Sequence, residues 1–253
     1  MHKFFAKTQF LGKKVYSLPQ CHSTNEEAQR LILEERPIEG QVVITANQTK
    51  GKGQRGNTWE SQVGLNLTFS IIIKPTFLKI ANQFELHKIS SLAIHDALFP
   101  ILGNKLKIKW PNDIYYGDNK LAGILIENIL RGNSIEYSII GIGLNINQLI
   151  FKNDIATSLA DITLTEHDIS ERAESILIKL EQRYLELKNN HISELLNDYY
   201  SRLYKFHEQQ LFKNNDIVFS GRICGVNEVG KLLIESNDQL LIFDFKEVEF
   251  LRE

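Results

Sequence analysis

The chain is poor in the residues that build covalent or metal frameworks. Its two cysteines, Cys21 and Cys224, stand far apart among 253 residues, and there is neither a C-x-x-C pair nor an H-E-x-x-H helix. Neither a disulfide scaffold nor a zinc site is expected, so both thiols are read as reduced, in a cytoplasmic protein. No apolar run approaches the roughly 18 residues of a membrane span. The start, Met1–Phe5, followed by Lys7, Lys13 and Lys14, lacks the continuous apolar core of a leader. An excess of one charge is missing too: a net charge of −2 gives no global pull toward nucleic acid or membrane, so any anion-binding surface must be local. With 43% hydrophobic and 24% charged residues, disordered and collagen-like classes are excluded. The length suits one large domain, or a large and a small one.

What is present concentrates between Gln48 and Trp59. Gly51, Gly53 and Gly56 are interleaved there with Lys50, Lys52 and Arg55. Glycines let a backbone approach a ligand closely, and successive free N–H groups form a concave anion site. The stretch is therefore read as a loop closing over a negatively charged small molecule. Its glycines formally match G-x-G-x-x-G, but that fingerprint needs a helix starting among the glycines and an acidic residue about 20 positions on. Here the β-branched strand Gln41–Ala46 leads in, a turn-like Asn57–Gly64 follows, and a second strand, Leu65–Ile73, comes next. Strand, glycine loop, strand argues against a dinucleotide fold, and no Walker A pattern occurs.

Elsewhere Val15–Leu18 reads as a short strand ended by Pro19, and a helix opens at Cys21–Glu27 and reaches about Glu35. Ser23 with Glu26, or Thr24 with Glu27, fits a capping box; the alternative is that these hydroxyls face a polar ligand at a helix N-terminus. Leu86, Ile89, Ala93 and Ala97 are spaced for a helix that Pro100 ends or kinks. From Lys105 to Trp110 apolar residues alternate with Lys105, Lys107 and Lys109, giving a strand with a three-lysine face before the turn at Pro111-Asn112-Asp113. A hairpin and a long strand, Ile135–Ile146, follow. Within them Gly123, Gly141 and Gly143 mark bulges or places where a ligand lies against the backbone. Thr165 with Asp168 is expected to cap a helix striped by Ile169, Ala173, Ile176, Leu180, Tyr184 and Leu187, and a second helix runs from about Ile192 to Leu203. After Gln210, short strands at Ile217–Phe219, Arg222–Cys224, Lys231–Ile234 and Leu240–Phe243 suggest a small β-barrel. The whole is an α+β fold on a mixed, largely antiparallel sheet, with a domain of residues 1–208 followed by one of 209–253.

In chain order, Ser23-Thr24-Asn25, Gln48 with Gly51-Lys52-Gly53-Gln54-Arg55-Gly56 and Trp59, Lys109-Trp110-Pro111-Asn112-Asp113, Lys120-Leu121-Ala122-Gly123-Ile124-Leu125 and Gly141-Ile142-Gly143-Leu144-Asn145 closely resemble the biotin protein ligases. The likeness runs from about Val15 through the terminal barrel. It implies a class II synthetase-like catalytic domain and a Src-homology-3-like barrel. It also implies a two-step reaction: biotin and ATP, with magnesium, give biotinyl-5′-adenylate and pyrophosphate, and a lysine of a biotin carboxyl carrier protein then attacks the mixed anhydride.

A carboxylate approaching a phosphate brings two anions together, so cations are needed. By resemblance Lys109 and Arg55 are the catalytic cations. Ser23, Thr24, Asn25, Gln48, Gly51, Lys52, Gly123, Gly141 and Gly143 are the biotin-binding set. Gly53, Gln54, Arg55, Gly56, Trp59, Asn112, Lys120 and Asn145 are assigned to the nucleotide, and no protein-held metal is implied.

The often-quoted family loop has arginine where this chain has Lys52 and Gln54. Lysine keeps charge without a bidentate fork and glutamine loses it. Some relatives carry a DNA-binding domain ahead of the catalytic one. This chain begins almost at the catalytic motifs, so no nucleic acid partner is expected, and the protein is read as a monomer or homodimer without membrane contact. The competing readings are a lipoate ligase or related acyl transferase of the same fold, a binding module without chemistry, and a DNA-binding regulator.

Overall fold

The computed structural model describes residues 7–251, with every side chain among them except those of Glu35 and Arg55. Met1–Phe5, read above for a leader, lies outside the described residues. The first half runs β1 (Val15–Leu18), α1 (Thr24–Glu35), β2 (Gln41–Thr45), β3 (Leu67–Ile73), α2 (Phe84–Leu102), β4 (Leu106–Lys109) and β5 (Asp113–Tyr116). It continues through β6 (Asn119–Arg131), β7 (Ser134–Leu144), α3 (Leu159–Thr163), α4 (Ile169–Lys188) and α5 (Ile192–Ser201). Seven strands form one sheet in the order β1-β2-β3-β7-β6-β5-β4. It is antiparallel except where β1 meets β2.

β2 and β3 are buried along their whole length, which explains why they read as continuous apolar runs rather than as alternation. Strand periodicity sends Val42, Ile44, Phe69, Ile71 and Ile73 to the face covered by α2 and α4. Val43 and Ile72 point to the opposite face, where they meet Ala28, Leu31 and Ile32 of α1. Phe69, Ile71 and Ile73 are each at most 1% exposed, and such burial is worth roughly 1.5–3 kcal/mol per side chain.

Three local expectations change. α2 runs through Pro100 to Leu102, because a proline in the last turn removes one backbone bond only and Gly103 closes the end with its N–H on Phe99 O. Asp168 alone caps α4, accepting from Ser170 N at 2.7 Å and Glu171 N at 3.0 Å, while Thr165 instead meets Thr163 Oγ1 at 3.1 Å. Ser23 precedes α1 but makes no side-chain capping bond, so the capping box is not formed.

The rest of the chain folds as β8 (Gln209–Asn214), β9 (Ile217–Val226), β10 (Leu232–Ser236), β11 (Gln239–Phe243) and β12 (Glu249–Phe250), a five-stranded antiparallel sheet in the order β11-β10-β9-β8-β12. Among the described residues its outermost strands, β11 and β12, are not paired with each other. β9 is continuous where two strands were expected. Gly221, between the two expected strands, sits mid-strand with room for no side chain: a Cβ there would lie 2.7 Å from Ile234 Cγ2. This sheet packs on the first through aromatic contacts. Trp110 donates from Nε1 to Gly230 O at 2.8 Å, and Phe245 lies 5.3 Å from the Trp110 ring and 6.2 Å from those of Phe84 and His87.

His87 makes this junction sensitive to acid. Part of its side chain reaches solvent, but its Nδ1 is buried without a hydrogen-bond partner, and burial pushes the imidazole down to about 4. An unfolded imidazole titrates near ~6.5. Between those values the unfolded chain binds the extra proton, so His87 costs nothing above the unfolded value and lowers stability as pH falls toward 4. Denaturant midpoints at pH 7.5 and pH 5 should differ in that direction, and His87→Phe should narrow the difference.

Candidate active site

A cleft of about 950 Å³ opens at one end of the larger sheet, between the N-terminus of α1, the glycine loop, the first half of β6 and the last residues of β7, the β4–β5 turn and the chain from Phe245 to Leu251. At the α1 end lies a polar cluster in which Thr24, Asn25 and Ser70 are buried. Gln48 Oε1 accepts from Thr24 N at 2.8 Å and Thr24 Oγ1 at 3.2 Å. Ser70 Oγ reaches Thr24 Oγ1 at 2.7 Å and Asn25 Oδ1 at 2.6 Å, and Asn25 Nδ2 donates to Glu127 Oε2 at 2.7 Å. Ser23 and Thr24, which fitted a capping pattern, therefore line the cleft, and the Thr24 hydroxyl bonds Gln48 and Ser70 rather than the helix backbone. Buried polar groups need such partners, and hydroxyls and amides of this kind, with the exposed Glu127 carboxylate at their edge, suit an uncharged polar ligand group.

The loop is a small hairpin of its own. Lys52 pairs with Thr58, Gly53 N donates to Asn57 O at 2.7 Å and Trp59 N to Gly51 O at 2.9 Å. A three-residue turn, Gln54–Gly56, forms its tip, with Gly56 at φ 85°. No longer helix starts there, in keeping with the rejection of a dinucleotide fingerprint. Lys52 Nζ pairs with Glu26 at 2.7 Å, and this hydrogen bond raises the Lys52 pKa. On the other side Lys246 Nζ approaches Asn57 Oδ1 at 3.4 Å. The loop is thus tied to α1 and to the C-terminal chain. Arg55 lies in the tip, but its side chain is outside the described residues.

The hairpin lays Trp59 on a floor of glycines. Gly123 and Gly143 face each other across β6 and β7. A Cβ on Gly143 would fall 2.3 Å from Trp59 Cε2, and one on Gly123 3.1 Å from Cζ3. These glycines therefore admit the indole. Gly141 likewise leaves space for Asn25, whose Oδ1 would lie 2.2 Å from a Cβ at that position. Trp59 Nε1 is buried without a hydrogen-bond partner, a donor available to an incoming acceptor. Trp59 and the biotin-set glycines thus share one spot, so in this geometry the nucleotide and biotin sets overlap at the indole.

Opposite the polar cluster are the cations. Lys120 Nζ pairs with Asp113 at 2.7 Å and lies 5.9 Å from the Trp59 ring centre. Lys109, at the end of β4, donates to Tyr115 Oη at 3.2 Å. Asn112 secures the turn between them by donating to Ile124 O at 2.6 Å.

Of the residues singled out from sequence, Ser23, Thr24, Asn25, Gln48, Lys52, Gly53, Gln54, Trp59, Lys109, Asn112, Lys120, Gly123, Gly141 and Gly143 line this cleft. Gly51, Gly56 and Asn145 do not. Gly51 supports the hairpin, where a Cβ would meet Trp59 O at 2.6 Å, and Asn145 is buried with its Nδ2 on Thr157 O at 2.9 Å. Sequence reading missed Ser70, Glu127 and the 245–251 segment. The signal for Ser70 was a small hydroxyl, with Thr68 two residues before it, inside the apolar strand Leu67–Ile73. Among the described residues no group of three His, Cys, Asp or Glu could hold a metal ion, and no helix is long and apolar enough to cross a membrane.

A glycine-floored cleft on a largely antiparallel sheet, with cations facing a neutral polar pocket, is an arrangement for joining two anionic reactants. The chain belongs to the biotin/lipoate A/B protein ligase family, which residues 17–145, just over half its length, match. It is 28% identical over 241 residues to the bifunctional ligase/repressor BirA of Bacillus subtilis, covering 93% of this chain and 74% of that protein. It is 26% identical to the biotin–[acetyl-CoA-carboxylase] ligase of Mycobacterium tuberculosis, covering 92% and 87%. Among solved structures, the biotin protein ligase from Aquifex aeolicus in complex with biotin and ATP superposes with a TM-score of 0.78 at 27% identity, over 95% of this chain and 100% of that one.

Proposed function

We propose that this chain is a biotin protein ligase that condenses biotin with ATP to biotinyl-5′-AMP and then passes the biotinyl group to a lysine of a biotin carboxyl carrier protein. The observation that carries the reading is the convergence, in one cleft, of the Lys109 ammonium with the neutral Thr24, Asn25 and Gln48 groups, braced from behind by the buried Ser70, across a glycine floor. Biotin's ureido ring is an uncharged donor–acceptor group that such a cluster suits. Lys109 would neutralise charge as the carboxylate approaches the α-phosphate and pyrophosphate departs. Arg55 and the loop N–H groups would hold phosphate oxygens, and Trp59 would cover the adenylate and keep water from the anhydride.

Magnesium enters this scheme with the triphosphate, as part of the nucleotide substrate. In the second step the same cover would open toward the carrier lysine, whose amine attacks the acyl carbon while AMP leaves. We place the chemistry in residues 1–208, read 209–253 as a second, smaller domain, and assign the reaction to the cytoplasm, where Cys21 and Cys224, both free, stay reduced. The acceptor on this reading is the carrier of acetyl-CoA carboxylase or a related biotin-dependent carboxylase.

Biotin-dependent exchange of labelled pyrophosphate into ATP tests the first step. Exchange should require biotin and magnesium and should be absent with lipoate in its place. Exchange supported by lipoate alone would move the chain to the lipoate side of the family.

A further inference from the structure

We propose that Phe250, acting with Tyr204 and Tyr115, is a positioning residue for Lys109, so that the C-terminal sheet fixes where the ammonium sits during adenylate formation. The inference rests on the role given to Lys109 above, and it concerns residues that no motif contains. Lys109 Nζ lies 4.4 Å from the ring centre of Tyr115, 4.9 Å from that of Phe250 and 5.7 Å from that of Tyr204. An ammonium within about 6 Å of aromatic faces is held by the ring quadrupoles. That attraction restrains a side chain with four rotatable bonds.

The three rings come from three parts of the fold, and each is fixed by its own contacts. Tyr115 stands on β5, next to β4. Tyr204 follows α5 on a segment that runs along β4, with Ile108 N donating to Arg202 O and Tyr204 N to Ile108 O, both at 2.8 Å. Its hydroxyl donates to Asp118 Oδ1 at 2.5 Å. Phe250 belongs to β12, pairs with β8, and meets the fully buried Phe212 edge-on at 5.2 Å. Displacing the C-terminal sheet would therefore withdraw one wall from Lys109, which gives that sheet a part in the chemistry beyond lining the cleft.

Phe250→Leu removes the π face at similar bulk, and Phe250→Tyr keeps it. In pyrophosphate exchange by the full chain, Phe250→Leu should lower kcat about tenfold with the KM for biotin unchanged. Phe250→Tyr should match the parent, and adding Phe250→Leu to Lys109→Ala should cost nothing further. A parental kcat in Phe250→Leu, or an equal loss in both backgrounds, would overturn the proposal, the latter by showing a general structural effect. A second readout does not depend on activity. Labelling of the Lys109 amine by a succinimidyl ester, followed by peptide mass spectrometry, should be several-fold faster in Phe250→Leu than in the parent. An unchanged rate would refute the cage, whereas parental protein without biotin-dependent exchange would refute the ligase reading instead.

Discussion

Lys109→Ala should leave the chain folded and reduce biotin-dependent pyrophosphate exchange by on the order of 10²–10³. The fold should survive because β4 is anchored by Leu106 and Ile108, both fully buried, whereas Lys109 is half-buried on the cleft side. Removing its stem uncovers parts of three rings but leaves the ladder to β5 intact. The loss in rate should be large because a cation already in place when negative charge concentrates needs no reorganisation during reaction. A single preorganised donor of this kind commonly contributes about 2.7–4 kcal/mol in a site shielded from water. Lys109→Arg should recover only part of the rate, since a longer, planar guanidinium places its charge differently from the compact ammonium held among Tyr115, Tyr204 and Phe250. Near-parental exchange by Lys109→Ala, with an unchanged melting curve, would remove it from the chemistry.

Gly143→Ala is expected to have the second-largest effect. The residue is in extended backbone within β7, so alanine brings no backbone strain. What it brings is a methyl 2.3 Å from Trp59 Cε2 and 2.7 Å from Cζ2. The indole is fused and rigid, so it must lift from the floor, taking the base of the hairpin with it, because Trp59 N is bonded to Gly51 O at 2.9 Å. Misplacing a covering group by an ångström costs up to about 10² in rate. Exchange should fall by that order with global stability little changed, since the site lies outside the packed faces of the sheet. Trp59→Ala should remove the conflict: the double variant should be no worse than Trp59→Ala alone, a non-additivity that marks a shared contact. Additive losses would show that alanine at 143 acts elsewhere.

Much of the scaffold was legible because its strands are long β-branched runs and its helices carry clear stripes. The glycine loop was legible for a different reason: glycines and cations between two strands have few structural uses. The α1 start left two readings open because Ser23-Thr24 followed by Glu26-Glu27 satisfies a capping pattern that is entirely local, whereas Gln48 and Ser70, which decide where the Thr24 hydroxyl points, come from other segments. Nor could sequence show that Gly123 and Gly143 serve Trp59, since the contact joins three separate segments. The stretch Phe245–Leu251 looks like an ordinary amphipathic tail. Its place in the cleft follows from the docking of Phe245 against Trp110 and Phe84, a long-range packing event with no local signature.

The central claim is tested most directly by the intact mass of an acceptor. The full chain, ATP and magnesium should be incubated with a biotin carboxyl carrier domain and either biotin or lipoate. The carrier should gain the mass of one biotinyl group in the first mixture, on its single acceptor lysine, and stay unmodified in the second. A carrier of unchanged mass with biotin, from protein that remains folded, would contradict the account.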